Sequence, residues 1–301
     1  MTIAGSDLKT RLFSAFGLPG PGIAHVAEVA RDAGGYVLTS LVFRAADGAQ
    51  VRGQMCQPPG PGPFPAVLVI HAHGNRYDIG AQELTYGRPA LSAPLGPDLA
   101  ARGIASLCVD LPCFGSRAGI DETAAAKAAL WRGKTLVGQM LAELSSQLDW
   151  LAEQPEIQAD RIGVFGISMG ATLGYWLAAV DDRVAALAQL CCFADFDVLV
   201  DRGAHDLHGA YLTVPGLLKI ASNGQIAGLM APRPQLIGIG DKDPLTPPQA
   251  VDVALAEVQA AYAAAPKALR ILREPQTGHS ESPAMRASVL RFFLDHLRGD
   301  Q

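Results

Sequence analysis

The sequence predicts an α/β fold in which a mostly parallel central sheet carries helices on both faces. Three observations predict it: two β-type segments stand near the N-terminus, apolar strand-like runs then alternate with helical stretches, and a glycine-flanked serine joins one such strand to a helix. Strands that alternate with helices become parallel neighbours through right-handed crossovers. With 301 residues, 49% of them hydrophobic, the chain can bury the core that one such domain needs.

The N-terminal third of the chain predicts an extension, a hairpin and a connector. Residues 1–35 are expected to form a helical extension, a helix followed by a linker, in front of a domain that spans 36–301. Residues 36–44 and 50–57 flank an Asp-Gly turn and predict an antiparallel hairpin. The Pro- and Gly-rich stretch that follows cannot continue a central strand, so it predicts a connector into the main sheet.

The remaining chain predicts the alternating part of the sheet. An apolar stripe at three- and four-residue spacing over 136–151 predicts the clearest helix. Residues 191–230 exceed the length of a short connection and predict a small cap-like insertion over the serine. Six strand-like runs are separated by helical stretches: 67–70, 105–109, 162–165, 184–190, 236–239 and 269–272.

The serine lies in the stretch Gly166-Ile167-Ser168-Met169-Gly170, between a predicted strand and a predicted helix. This context is typical of a nucleophile elbow, in which a tight turn presents the serine and glycines avoid clashes. Ser168 is therefore the candidate nucleophile. A hydroxyl of this kind needs a base to take its proton and an acid to orient that base, so both should follow in the chain.

The acid and the base candidates each follow a predicted strand. His279, on the loop that begins at Gly278, comes after the last strand, where a triad base is needed. An Asp- and Pro-rich turn after residues 234–240 offers two carboxylates for the acid. These are Asp243 and Asp241; Asp195 and Asp197, which follow an earlier strand, are alternatives.

Together the elbow, the turn from Gly240 to Asp243 and the Gly278-His279 loop resemble the α/β-hydrolase superfamily, from about residue 36 to the C-terminus. The Gly-x-x-Asp spacing matches the acid turn of that fold, which favours Asp243. The elbow and the segments 110–117 and 231–234 resemble bacterial dienelactone-hydrolase-like and acetyl-xylan-esterase-like enzymes. Dienelactone hydrolases carry a cysteine nucleophile, so Ser168 favours the esterase branch. The resemblance implies a serine esterase that forms an acyl-enzyme.

Such an enzyme also needs two amides for the oxyanion. One should be that of Met169, which follows the nucleophile. The other should come from the His-rich loop 71–76, and both His73 and Asn75 are candidates. His71 and His73 could alternatively face one way and bind zinc, and the His205–His208 stretch invites the same interpretation. The hydrolase interpretation is preferred, without a metal, and no Gly-rich phosphate loop indicates another cofactor.

Composition narrows the partners. A net charge of −5 and a pI near 5.8 argue against nucleic acid and anionic membranes, and favour a small neutral ester. The charged N-terminus does not resemble a signal peptide or a membrane span, so a cytoplasmic location is expected, and a homodimer is compatible with the Ala-rich helices. Five cysteines do not suggest a disulfide framework. The residues expected to line the substrate pocket are Cys191, Cys192 and Leu217.

Two rival functions share these residues. The same triad could act on a lactone, thioester, amide or carbon-carbon bond, because fold and triad do not define the substrate. A hydrolase body that only binds a ligand is the rival from another class.

Overall fold

The computed structural model describes residues 5–298. Residues 1–4 of the predicted extension 1–35 and residues 299–301 of the predicted domain 36–301 lie outside the described residues. The sheet has nine strands: β1 (Ile23–Asp32), β2 (Val37–Ala45), β3 (Gln50–Gln57), β4 (Phe64–Ile70), β5 (Ala105–Val109), β6 (Ile157–Ile167), β7 (Ala186–Leu190), β8 (Gln235–Gly240) and β9 (Leu269–Glu274).

The strands run in the order β1-β2-β3-β5-β4-β6-β7-β8-β9. In this order, β1, β2, β3 and β5 are antiparallel neighbours. The strands β5, β4, β6, β7, β8 and β9 are parallel to one another. The α-helices are α1 (Gly5–Phe16), α2 (Glu83–Tyr86), α3 (Leu95–Ala100), α4 (Glu122–Trp131), α5 (Leu136–Glu153), α6 (Met169–Val180), α7 (Phe196–Asp201), α8 (Asn223–Gly228), α9 (Pro248–Ala261) and α10 (Pro283–Phe293). The predicted mostly parallel sheet with an N-terminal hairpin is confirmed.

Alternating side chains of the central strands divide the core into two parts. On β4, Ala66, Leu68 and Ile70 belong to the core that α5, α6 and α9 cover. Val67 and Val69 belong to the opposite core, which α3 and α10 cover. Successive side chains of a strand face opposite sides of the sheet, so the nearly continuous apolar run of β4 reflects burial on both faces.

The N-terminal extension differs from its expectation. A helix is present, α1, and it buries Leu8, Leu12 and Phe16 at four-residue spacing. Residues 23–32, expected as a linker, instead form β1 at the edge of the sheet. Nine of the ten β1 residues are exposed, so the strand lacks the apolar alternation by which a strand is recognised. Backbone pairing with β2 specifies this strand rather than side-chain burial.

The chain between β7 and β8, residues 191–234, contains α7, short 3₁₀ turns and α8. We refer to it as the β7–β8 segment. It includes residues 191–230, whose cap-like role stays a prediction. Between residues 5 and 298, every helix is too short or too polar to span a bilayer.

Candidate active site

Ser168 occupies a strained turn at the carboxyl end of β6. The strand ends at Ile167, α6 begins at Met169, and Ser168 between them has φ +59° and ψ −123°. A positive φ is uncommon in a residue other than glycine and persists only when the surrounding structure enforces it.

The two glycines of the elbow allow this turn to pack closely. A Cβ atom at Gly166 would collide with the backbone of Gly170, and one at Gly170 would collide with the carbonyl of Ile70. Overpacking of such a site costs about 1 to 3 kcal/mol or more. The residue types of the motif are therefore explained by backbone contacts on both sides of the serine.

The structure brings Ser168, His279 and Asp243 together at the carboxyl edge of the sheet. His279 Nε2 lies 2.8 Å from Ser168 Oγ, and His279 Nδ1 lies 2.7 Å from Asp243 Oδ2. The carboxylate can only accept, so Nδ1 carries the ring proton and Nε2 is free to accept the hydroxyl proton of Ser168. One imidazole thus joins the hydroxyl to the buried carboxylate in the geometry of a nucleophile and its oriented base.

Asp243 is fixed by its own turn. Its side chain is fully buried, and the Leu245 amide donates to Oδ1 at 2.9 Å, which leaves Oδ2 for His279. A Cβ at Gly240 would collide with the backbone of Gly278, so the turn from Gly240 to Asp243 lies against the Gly278-His279 loop. The spacing of glycine and aspartate reflects this contact.

The other carboxylates have different partners. Asp241 pairs with Arg273, Asp195 accepts the Val198 amide as the N-cap of α7, and Asp197 is exposed. Only Asp243, among the four candidates, contacts His279.

The amides of the loop after β4 have distinct partners. The Ala72 amide donates to Glu83 at 3.1 Å, and the Asn75 amide donates to His73 Nδ1 at 3.1 Å. The His73 amide donates to no other described residue. Met169 is the first residue of α6, so its amide has no acceptor within the helix. Of the two loop amides that the sequence left open, that of His73 is therefore available and that of Asn75 is engaged.

A buried ion pair holds the same loop. The side chains of Glu83 and Arg88 are almost fully buried and pair with each other. Arg88 Nη1 also donates to the His73 carbonyl at 2.6 Å, while Glu83 accepts the Ala72 amide. Breaking a buried pair by removing one partner costs about 3 to 5 kcal/mol. Neither residue could be predicted as part of the site, because neither stands in a recognisable motif.

His71 and His73 do not face a common ligand. His71 Nε2 accepts the Leu111 amide at 3.1 Å and Nδ1 donates to the Ala72 carbonyl at 3.1 Å. His73 Nε2 lies 2.6 Å from Glu122. All four ring nitrogens are thus engaged, and within residues 5–298 no three His, Cys, Asp or Glu side chains are grouped to hold a metal ion.

Complete burial lowers the pKa of His71 to about 4. In an unfolded chain a histidine has a pKa near 6.5. Between pH 6.5 and 4 the unfolded state therefore binds a proton that the folded state does not, so His71 stabilises the fold above pH 6.5 and this contribution falls as the pH falls. The free energy of unfolding should lose about 1.4 kcal/mol per pH unit from this group.

Urea unfolding at pH 7, 6 and 5 measures this slope. A His71→Gln variant should show a shallower slope than the wild type, by about 1 kcal/mol per pH unit. His205→Gln, at an exposed histidine, should keep the wild-type slope. Equal slopes for His71→Gln and the wild type would contradict the prediction.

The three residues expected in the pocket differ in position. Leu217 lines a cavity of about 520 Å³ that the β7–β8 segment and Thr123 of α4 enclose, and none of Ser168, Asp243 and His279 lines this cavity. Cys191 and Cys192 do not line it; both are buried, and burial raises the pKa of both thiols, that of Cys192 to about 12. The other apolar lining side chains are Phe196, Leu199, Val200, Ala210, Leu212, Val214 and Leu218.

His208 connects this cavity with the acid turn. It lines the cavity, and its Nε2 donates to the Leu245 carbonyl at 3.0 Å, next to the turn that holds Asp243. Burial lowers the pKa of His208 below the ordinary value of a histidine. The sequence had offered this histidine only as a metal ligand, and its contact across 37 residues carries no local signal.

Comparison with known proteins gives one family. The family model described as X-Pro dipeptidyl-peptidase (S15 family) matches residues 47–237. YtaP, an inferred hydrolase of Bacillus subtilis (strain 168), is 39% identical over 235 residues, which are 77% of this chain and 78% of YtaP.

Solved structures agree on the fold. Acetyl Xylan Esterase 1 from Thermoanaerobacterium sp. JW/SL YS485 matches with a TM-score of 0.63 and 17% identity, over 97% of this chain and 93% of that one. The acetyl xylan esterase from Paenibacillus sp. R4 matches with a TM-score of 0.65 and 18% identity, over 96% and 93%. At these identities the likeness establishes the fold alone. Because the family model covers more than half of the chain, and YtaP more than three quarters of it, the protein is a hydrolase that belongs to the S15 family of the α/β-hydrolase superfamily.

Proposed function

We propose that the protein hydrolyses a carboxylic ester of a small, neutral molecule through an acyl-enzyme on Ser168. The observation that carries this proposal is the position of the His279 ring, within hydrogen-bond distance of both Ser168 Oγ and the buried Asp243 carboxylate. A serine on a strained turn with an oriented base is the arrangement that nucleophilic catalysis requires.

The reaction proceeds in two halves. Ser168 Oγ attacks the ester carbonyl while His279 Nε2 takes the hydroxyl proton, and Asp243 stabilises the charged ring. The amides of Met169 and His73 hold the oxyanion. The alcohol leaves with the proton from His279, and water, activated by the same ring, then attacks the acyl-enzyme and releases the acid. Each oxyanion donor contributes about 3 to 4 kcal/mol to the transition state.

Two observations support an ester without a negative charge. The acetyl xylan esterases share the fold over 93% of their own length, and this chain itself carries a net charge of −5, which disfavours an anionic substrate. The same proposal includes membership of the dienelactone-hydrolase-like enzymes and a cytoplasmic location. Both rest on the sequence alone.

Cleavage of a peptide bond is the second candidate, and the family description favours it. The machinery would be the same, because an amide carbonyl passes through the same tetrahedral intermediate.

A panel of substrates separates the two. We expect turnover of p-nitrophenyl acetate and butyrate and none of Ala-Pro-p-nitroanilide; the reverse would favour the peptidase. A fluorophosphonate should label Ser168, as read by peptide mass spectrometry. A folded protein that is neither labelled nor active on any ester would contradict the proposal and favour a ligand-binding role.

A further inference from the structure

Glu122 is a buried carboxylate that the reaction above does not use. It is the first residue of α4, and its side chain is only 4% exposed. Three donors converge on it: His73 Nε2 at 2.6 Å, the Tyr77 hydroxyl at 3.2 Å and the Tyr211 amide at 3.0 Å. Among the residues described it has neither lysine nor arginine within ion-pair distance. Burial of a carboxylate costs several kcal/mol unless it is satisfied in this way.

The contact with Glu122 selects one form of the His73 ring. The Asn75 amide can only donate, so His73 Nδ1 must accept and cannot carry a proton. The proton therefore lies on Nε2 and points at Glu122 Oε2. A carboxylate that fixes the tautomer of a histidine is the device by which enzymes set which ring nitrogen accepts.

The tautomer in turn sets the shape of the loop after β4, residues 71–76, which we call the oxyanion loop. Gly74 and Asn75 both have φ of +52°, which folds the loop back so that the Asn75 amide reaches the His73 ring. This contact removes the Asn75 amide from the site. It leaves the peptide N–H of His73 as the donor on this side of the substrate.

The second oxygen of Glu122 ties in the β7–β8 segment. The Tyr211 amide donates to Oε1, and the Tyr211 ring stacks on His73 with centroids 5.8 Å apart and an interplanar angle of 28°. Tyr77 and Phe114 contact the same imidazole at 5.1 Å. The ring is thus enclosed on three sides, and its two nitrogens have fixed partners.

We propose that Glu122 is a positioning residue for the oxyanion loop: it acts through His73 and couples the place of the β7–β8 segment to the place of the oxyanion donor. This inference rests on the ester hydrolysis proposed above and adds a residue to it. Glu122 does not touch the reacting atoms.

A glutamine at this position cannot replace the carboxylate. Burial raises the pKa of Glu122, but the hydrogen bonds from His73 and from the Tyr211 amide lower it further, so that the net pKa lies below the ordinary value. The side chain is therefore a carboxylate, and it is the acceptor in each of its hydrogen bonds. If the glutamine oxygen faces His73, its NH₂ group meets the Tyr211 N–H. If it is turned over, the NH₂ group meets the Nε2 proton, and the ring must take the tautomer that repels the Asn75 amide.

The test compares Glu122→Gln with the wild type on p-nitrophenyl acetate. Because an oxyanion donor is displaced rather than deleted, we expect kcat to fall about 10- to 100-fold with KM changed less than about threefold. Affinity for an aliphatic trifluoromethyl ketone, which places an oxyanion at the same donors, should fall by a similar factor. A wild-type kcat together with a wild-type ketone affinity in a folded Glu122→Gln protein would overturn the inference.

Glu143→Gln is the matched control. Glu143 is equally buried and pairs with Arg117 at 2.6 Å, outside the site. It should lose thermal stability and keep kcat and ketone affinity, which separates positioning from a general loss of buried charge. An equal loss of kcat in both variants would also overturn the inference.

Failure of the proposed function looks different. If the wild type hydrolyses no ester and no fluorophosphonate labels Ser168, the proposed function fails and this inference fails with it. If Ser168→Ala is inactive while Glu122→Gln matches the wild type, the hydrolase stands and only the role of Glu122 is lost.

Discussion

Replacing Ser168 by alanine should lower kcat for p-nitrophenyl acetate by about 10⁶-fold and abolish fluorophosphonate labelling. The reason is chemical rather than structural. Alanine lacks the oxygen that forms the acyl bond, yet it accepts the same backbone as serine, since both carry a Cβ at φ +59°. The fold and the substrate affinity should persist. The residual hydrolysis should come from direct attack by water held next to His279 and the oxyanion amides.

The measurement needs a serine control. Ser106, on β5, is fully buried and its hydroxyl has no partner among the described residues. Ser106→Ala should retain activity within about twofold, as substitutions away from the site do. If Ser168→Ala kept more than about 1% of wild-type kcat, the covalent route would be excluded.

Replacing Asp243 by asparagine should lower kcat about 10⁴-fold. The Leu245 amide donates to Asp243 Oδ1 at 2.9 Å, so an asparagine would keep its oxygen there and turn its NH₂ group towards His279. The ring would then have to accept at Nδ1 and carry its proton on Nε2. In that tautomer it cannot take the proton of Ser168, although every atom remains in place.

Asp195→Asn is the matched control for this variant. Asp195 is also a buried aspartate after a parallel strand, but its carboxylate caps α7. Asparagine caps a helix about as well as aspartate does, so Asp195→Asn should keep both its stability and its kcat. A large loss of kcat in Asp195→Asn with little loss in Asp243→Asn would reassign the acid. The rate of Asp243→Asn should also recover partly at high pH, where hydroxide can act in place of the base.

Local signals explain what could be predicted from the sequence. The elbow glycines and Gly240 stand within three residues of a catalytic candidate, and a Cβ atom at any of them would collide with backbone. The hairpin was predicted within one residue of β2 and at the bounds of β3, because both strands flank a clear turn. The parallel strands could be predicted because each is a short apolar run between two helical stretches.

Contacts between distant segments explain what could not be predicted. Glu122 stands at the start of a helix, where an acidic residue is ordinarily a solvated partner of the helix dipole. Its burial arises only because the loop after β4 and Tyr211 fold onto it from 49 and 89 residues away. β1 likewise has no apolar pattern of its own and becomes a strand through the backbone of β2.

The contact of Gly170 with the carbonyl of Ile70 has a wider consequence. Ile70 ends β4 and leads directly into the oxyanion loop, while Gly170 lies in the first turn after the nucleophile. The spacing between the adjacent strands β4 and β6, about 4.8 Å, therefore sets the distance between the attacking oxygen and the proposed oxyanion donor. Substitutions in the β7–β8 segment that leave the Tyr211 amide on Glu122 should keep the distance between the attacking oxygen and the oxyanion donor. Substitutions that move this amide should change it, so we expect only the part of the segment away from Tyr211 to vary freely without a change in reaction geometry.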